Sequence, residues 1–160
     1  MTNGASEGVR IALKMIVRDK QDGVLVPIPQ YPLYSALLTL ENGTMIRYYL
    51  DEDKKWGIDA DSIQQQISNS KDLGISPRAI VVINPGNPTG NVLSREDMED
   101  IIKIAHEESL LIMADEVYQR NIYKDDAPFI SFRKVLQEMG APFRDNVELI
   151  SFHSVSKGLM

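Results

Sequence analysis

The 160-residue sequence contains no cysteine, two histidines and one tryptophan. With no thiol there is no disulfide and no sulfur-ligated zinc or iron–sulfur site, and His106 and His153 stand too far apart in sequence to suggest a metal pair. Apolar runs such as Leu110 to Ala114 reach about five residues, far below the eighteen or so of a membrane-crossing helix. A basic excess is lacking too: 17 Lys and Arg face 23 Asp and Glu, a formal charge of −6, with no basic run or stripe. Nucleic acid and membrane are therefore not expected partners. Met1-Thr2-Asn3-Gly4 has neither a basic nor an apolar region, so no secretory segment is expected at the start.

What is present describes a folded chain. With 43% hydrophobic and 25% charged residues, one domain's worth of sequence can bury roughly 70% of its unfolded surface. Five apolar segments read as buried strands: Val24 to Ile28, Met45 to Leu50, Ala79 to Ile83, Leu110 to Ala114 and Val147 to Phe152. Helical spacing appears in Ser6 to Val17, with Ser6 as cap, and in Tyr34 to Leu40, stopped by Asn42-Gly43. A third helix runs from an Asp59 or Asp61 cap toward Asn69. Ser94-Arg95-Glu96-Asp97 resembles a capping box ahead of Met98, Ile101, Ile102 and Ala105, and Phe132, Val135, Leu136 and Met139 mark a fifth helix before Gly140. Alternating β and α with near-continuous apolar strands predicts an α/β fold, a mostly parallel sheet flanked by helices on both faces.

In open α/β sheets ligands bind beyond the carboxyl ends of the strands. Three of those ends are chemically loaded: Asn84-Pro85-Gly86-Asn87-Pro88-Thr89-Gly90, Asp115-Glu116-Val117-Tyr118, and His153-Ser154-Val155-Ser156-Lys157-Gly158. Neighbouring parallel strands would bring Asn87, Asp115, Tyr118 and Lys157 to one rim. Each has a bland alternative. The first segment is also a rigid turn, Asp115 a turn or cap residue, and Lys157 a solvated charge. Asp115-Glu116 after an apolar strand also fits a magnesium-holding nucleotide hydrolase, but the phosphate loop GxxxxGK[ST] is absent. Ser154-Val-Ser-Lys157 matches S-x-x-K of serine acylases without the partner motifs S-D-N and K-T-G. His153 is read as packing near the pocket, His106 as solvated, and Trp56 as covering a core edge.

Taken together, TNGASEGV, PIPQYPLYSA, NPGNPTG, ADEVYQ and SFHSVSKG, in this order and across nearly the whole chain, resemble the large domain of a fold-type I, pyridoxal-phosphate-dependent aminotransferase. The match is close to the alanine aminotransferase branch. The resemblance implies pyridoxal 5'-phosphate as cofactor. It makes Lys157 the residue that holds the cofactor as a Schiff base and then moves a proton at the substrate α-carbon. Asp115 becomes the carboxylate paired with the pyridine nitrogen. Asn87 and Tyr118 become the hydrogen-bonding groups at the phenolic oxygen, and Tyr31 the aromatic stacked on the ring. The phosphate would be met by Gly4-Ala5-Ser6 at the start of a helix and by the hydroxyls of Ser154 and Ser156.

The same resemblance sets expectations about extent. Residues 1–160 correspond to the central part of the large cofactor-binding domain, without the small domain, and the family's phosphate- and substrate-binding arginines fall beyond them. Leu159 stands where the branch carries an aromatic. By itself the stretch is expected to be inactive; the alternative is a non-catalytic remnant that binds a partner. The parent enzyme is expected to be a homodimer acting on amino-acid and 2-oxo-acid substrates, which the resemblance to that branch implies to be alanine and 2-oxoglutarate. The expected compartment is the cytoplasm, with the mitochondrion left open.

Overall fold

The computed structural model describes residues 1–123 and 128–157; Gly158 and Leu159, singled out above, lie outside them. Five strands form one sheet: β1 (Asp22–Ile28), β2 (Thr44–Tyr49), β3 (Ser76–Ile83), β4 (Leu111–Asp115) and β5 (Leu149–Phe152). Their order is β2-β1-β3-β4-β5, and every pairing is parallel. The chain leaves β1 toward one edge and β3 toward the other, so the crevice between their carboxyl ends is the topological switch point at which such sheets bind ligands.

Alternate strand residues point to opposite faces, and each face is covered. Val24, Val26, Val81 and Met113 pack against α1 (Ala5–Ile16) and α2 (Leu33–Leu40). Leu25, Ile80, Val82, Ile112 and Ala114 pack against α3 (Ala60–Asp72), α4 (Arg95–Glu108) and α5 (Phe132–Met139). The α/β architecture read from the sequence is thus present. Among the described residues no helix is long and apolar enough to cross a membrane.

Several local expectations are corrected. Ser6 lies inside α1, not at its cap; Gly4 holds that position at φ 83 and offers no side-chain bond. The left-handed residue that ends α2 is Asn42, at φ 58. Gly43 is required for closeness instead, since a Cβ there would lie 2.7 Å from Val17 Cγ1. Strand β4 is shifted by one residue, so Asp115 is its last member and not the residue after it. A short helix α6 (Phe143–Asn146) delays β5 to Leu149. His106 is half-buried, edge-on to Phe143 with ring centroids 5.3 Å apart. Asp59 and the Ser94–Asp97 capping box do cap α3 and α4.

The amino-terminal rim of the sheet is held by one buried carboxylate. Asp22, 1% exposed, accepts bonds from the Arg18 amide and guanidinium and, at 2.6 Å, from Arg78 at the start of β3. The Arg18 guanidinium, opposed by burial and aided by Arg78, holds the Asp22 carboxyl well below the usual carboxylate range. A carboxyl depressed on folding stabilises the fold above its unfolded pKa of about 4 and loses that contribution as pH falls below it. Asp22→Asn should therefore lower the urea midpoint at neutral pH, and the gap to wild type should narrow as pH drops below about 4. Urea unfolding at several pH values checks this; a gap that is constant with pH contradicts it.

Candidate active site

The carboxyl rim carries the polar groups. Ladder pairing sets Ile83 beside Asp115 and Asp115 beside Phe152, so the segments that follow β3, β4 and β5 leave the sheet side by side. They enclose, with the start of α1 and the turn after β1, a cavity of about 210 Å³. Its wall includes Ala5, Ser6, Tyr31, Asn87, Asp115, Tyr118, Ser154, Ser156 and Lys157, together with the apolar Val9, Leu33, Ile83 and Val117. Every site residue named from the sequence except Gly4 lines this one cavity; His153 is exposed, bonded to Gln119, and does not.

Asp115 is the chemically distinctive member. Strand parity sends its side chain, like that of Met113, to the α1/α2 face. There Oδ2 accepts the Tyr34 hydroxyl at 2.7 Å and Oδ1 accepts the Val117 amide at 3.3 Å. Burial pushes its carboxyl up, while the Tyr34 and Val117 bonds pull it back. No cationic side chain among the described residues pairs with it. A desolvated carboxylate on a cavity wall, with neutral donors only, is a place for a cation carried by a ligand.

Glu116 turns to the opposite face, where Oε1 accepts the Phe132 amide at 2.8 Å at the start of α5. The two carboxylates therefore do not converge on one metal, and no group of three or more His, Asp or Glu among the described residues could hold one. That arrangement gives the nucleotide-hydrolase alternative no support.

The turn reading and the site reading of NPGNPTG describe the same object. The Gly86 amide bonds Asn91 O at 2.8 Å, the Gly90 amide bonds Gly86 O at 2.9 Å, and the Leu93 amide bonds the buried Asn84 Oδ1 at 3.0 Å. Thr89 donates to Asn91 Oδ1, and Asn91 Nδ2 donates to Trp56 O at 2.7 Å. A braced turn thus presents Asn87 to the cavity. Across from it, Lys157 Nζ stands 5.7 Å from the centroid of the Tyr118 ring. Ser154 Oγ bonds Ser156 Oγ at 3.0 Å, closing the turn ahead of Lys157. Gly4 leaves the first turn of α1 without a side-chain cap, so its amides and positive end are available to an anion.

The profile of the family described as "Aminotransferase class I and II" matches residues 1–159. The chain belongs to this aminotransferase family. It is 52% identical over 158 residues to "Glutamate--glyoxylate aminotransferase 1" of Arabidopsis thaliana, a match that covers 99% of this chain and 33% of that protein. It is 49% identical to "Probable alanine aminotransferase, mitochondrial" of Dictyostelium discoideum, covering 100% and 30% respectively. A crystal structure of an Escherichia coli aminotransferase superposes with a TM-score of 0.81 at 37% identity, covering 97% of this chain and 34% of that one. The chain therefore spans about a third of the length of the relatives it matches.

The aminotransferase cofactor, pyridoxal 5'-phosphate, fits the donor set. A lysine amine suits its aldehyde, Asp115 its ring nitrogen, and the uncapped α1 terminus with the serine hydroxyls its phosphate. Residues that sequence reading missed are the supports: Tyr34 beneath Asp115, Asn91 and Trp56 behind the turn, and Glu116 under α5. The signal that could have exposed Tyr34 is a phenol on the buried Tyr34-Leu37-Leu38 stripe of α2, whose hydroxyl needs a partner.

The turn makes a direct prediction. A Cβ on Gly86 would lie 2.1 Å from Asn91 Oδ1 and 2.3 Å from Thr89 Oγ1. Gly86→Ala should cost about 1–3 kcal/mol of stability through overpacking and weaken cofactor binding by displacing Asn87. Gly74→Ala, with nothing within 4 Å of its Cβ but at φ 76, should cost about 1–2 kcal/mol of stability and leave cofactor binding unchanged. Denaturant melts and cofactor titrations of both variants check this; equal binding by Gly86→Ala and wild type contradicts it.

Proposed function

We propose that residues 1–160 are the central part of the large cofactor-binding domain of a transaminase that moves an amino group between an amino acid and a 2-oxo acid. The observation that carries this reading is the lining of one cavity by Asn87, by Asp115 and Tyr118, and by Lys157, delivered from the ends of three neighbouring strands, β3, β4 and β5. Alanine and 2-oxoglutarate are the proposed substrates. The names of the two relatives, a glutamate–glyoxylate and a probable alanine aminotransferase, favour small substrates of this kind. A homodimeric, cytoplasmic parent enzyme belongs to the same reading and rests on the family resemblance.

When bound, pyridoxal phosphate supplies an electron sink for the charge left as the substrate α-carbon loses its proton. The chain's own residues do the rest. The Lys157 amine would anchor the cofactor covalently and, once released by an amino-acid substrate, would be the base that moves the proton at the α-carbon. Asp115, as a carboxylate, would accept a hydrogen bond from the protonated ring nitrogen. Asn87 and Tyr118 would hydrogen-bond the phenolic oxygen, Tyr31 would cover the ring, and the α1 amides with Ser154 and Ser156 would hold the phosphate. Apolar Val9, Leu33, Ile83 and Val117 exclude water from the floor.

Adding pyridoxal phosphate to the full chain should produce a visible absorption band that borohydride fixes onto Lys157. Lys157→Ala should abolish it. No band, or a band unaffected by Lys157→Ala, would remove the reading.

A further inference from the structure

Tyr34 lines no part of the cavity and reaches the site only through Asp115. Its side chain is 0% exposed and lies behind the cavity wall. The comparison that gives it meaning is Tyr48, equally enclosed, whose hydroxyl donates to the Val81 carbonyl at 2.8 Å. That is the ordinary way to satisfy a buried phenol. Tyr34 instead donates to a carboxylate 81 residues away, at 2.7 Å. The remaining protein bond to Asp115, from the Val117 amide, is long at 3.3 Å.

We infer that Tyr34 is a positioning residue: its hydroxyl keeps Asp115 ionised and aimed into the cavity, as the protonated ring nitrogen of the cofactor requires. The inference rests on the cofactor reading given above. Burial, then the adjacent Asp115 charge, drives the Tyr34 phenol well above its ordinary range, so it remains a proton donor at working pH. Burial opposes ionisation of Asp115, and the Tyr34 bond is the first of the effects that offset it. Its place on α2 also couples the Tyr31 turn to the carboxylate, because Tyr31 and Tyr34 flank the start of one helix.

The test uses the full chain loaded with pyridoxal phosphate carrying a 15N label in the ring, comparing wild type, Tyr34→Phe, Tyr48→Phe and Asp115→Asn. Phenylalanine keeps the ring volume and removes only the donor. Without the phenol, Asp115 becomes a stronger base and takes a larger share of the proton between it and the ring nitrogen. In Tyr34→Phe the 15N resonance should therefore move from the wild-type position toward the neutral position marked by Asp115→Asn. Cofactor dissociation should rise roughly tenfold, the scale of a hydrogen bond to a charged group. Tyr48→Phe, which removes a buried hydroxyl elsewhere, should leave the resonance in place.

An unshifted resonance in folded Tyr34→Phe, or an equal shift in Tyr48→Phe, overturns the inference while leaving the cofactor reading intact. A wild-type chain that forms no borohydride-fixed linkage overturns both. If Tyr34→Phe does not fold, fluorotyrosine at position 34 replaces it. Ring fluorination strengthens the donor, so the resonance should move the opposite way, and no movement overturns the inference.

Discussion

Parallel register is the constraint on which the site depends. Ile83, Asp115 and Phe152 occupy one row across β3, β4 and β5, so three chain segments, far apart in sequence, leave the sheet at one level. A one-residue slip of β4 would send Asp115 to the α5 face and bring Glu116 to the cavity, because side chains alternate with a period of two. The apolar residues enforce the register: Met113 must meet α1 and α2 while Ile112 and Ala114 meet the α3–α5 layer. Core packing, which has no chemistry of its own, thereby selects which carboxylate becomes available to a ligand.

The sheet divides its polar burden between its two rims. At the amino end, Asp22 is saturated by two guanidinium groups and serves the fold. At the carboxyl end, Asp115 is buried to a similar degree but receives neutral donors only. A buried carboxylate with arginine partners is already compensated, whereas one without them retains an unfilled electrostatic demand. That contrast distinguishes Asp22 from Asp115; Glu116, also buried and bonded by a neutral donor, faces away from the cavity and holds the start of α5.

Much of this was legible in the sequence, and the failures have physical causes. The five strands could be read because parallel strands buried on both faces are nearly continuous in apolar residues. The capping box at Ser94 was visible because its two side chains bond reciprocally over a fixed spacing. Strand limits were missed where the ladder admits polar residues, as at Asp22 and Asp115. The cap of α1 was misplaced because Ser6 has a capping side chain, whereas Gly4 fills the position by backbone conformation alone. The residues at strand ends that line the cavity could be named from order and type. Their supports could not, since Tyr34, Asn91 and Glu116 act through contacts that only the folded chain brings together.

The most direct measurement is a crystal structure of the full chain with pyridoxal phosphate bound. The ring is expected in the cavity, its nitrogen within hydrogen-bonding distance of Asp115, its phosphate against the first turn of α1, and continuous density to Lys157 Nζ. A cofactor bound elsewhere, or an Asp115 side chain turned away from the ring nitrogen, would contradict it.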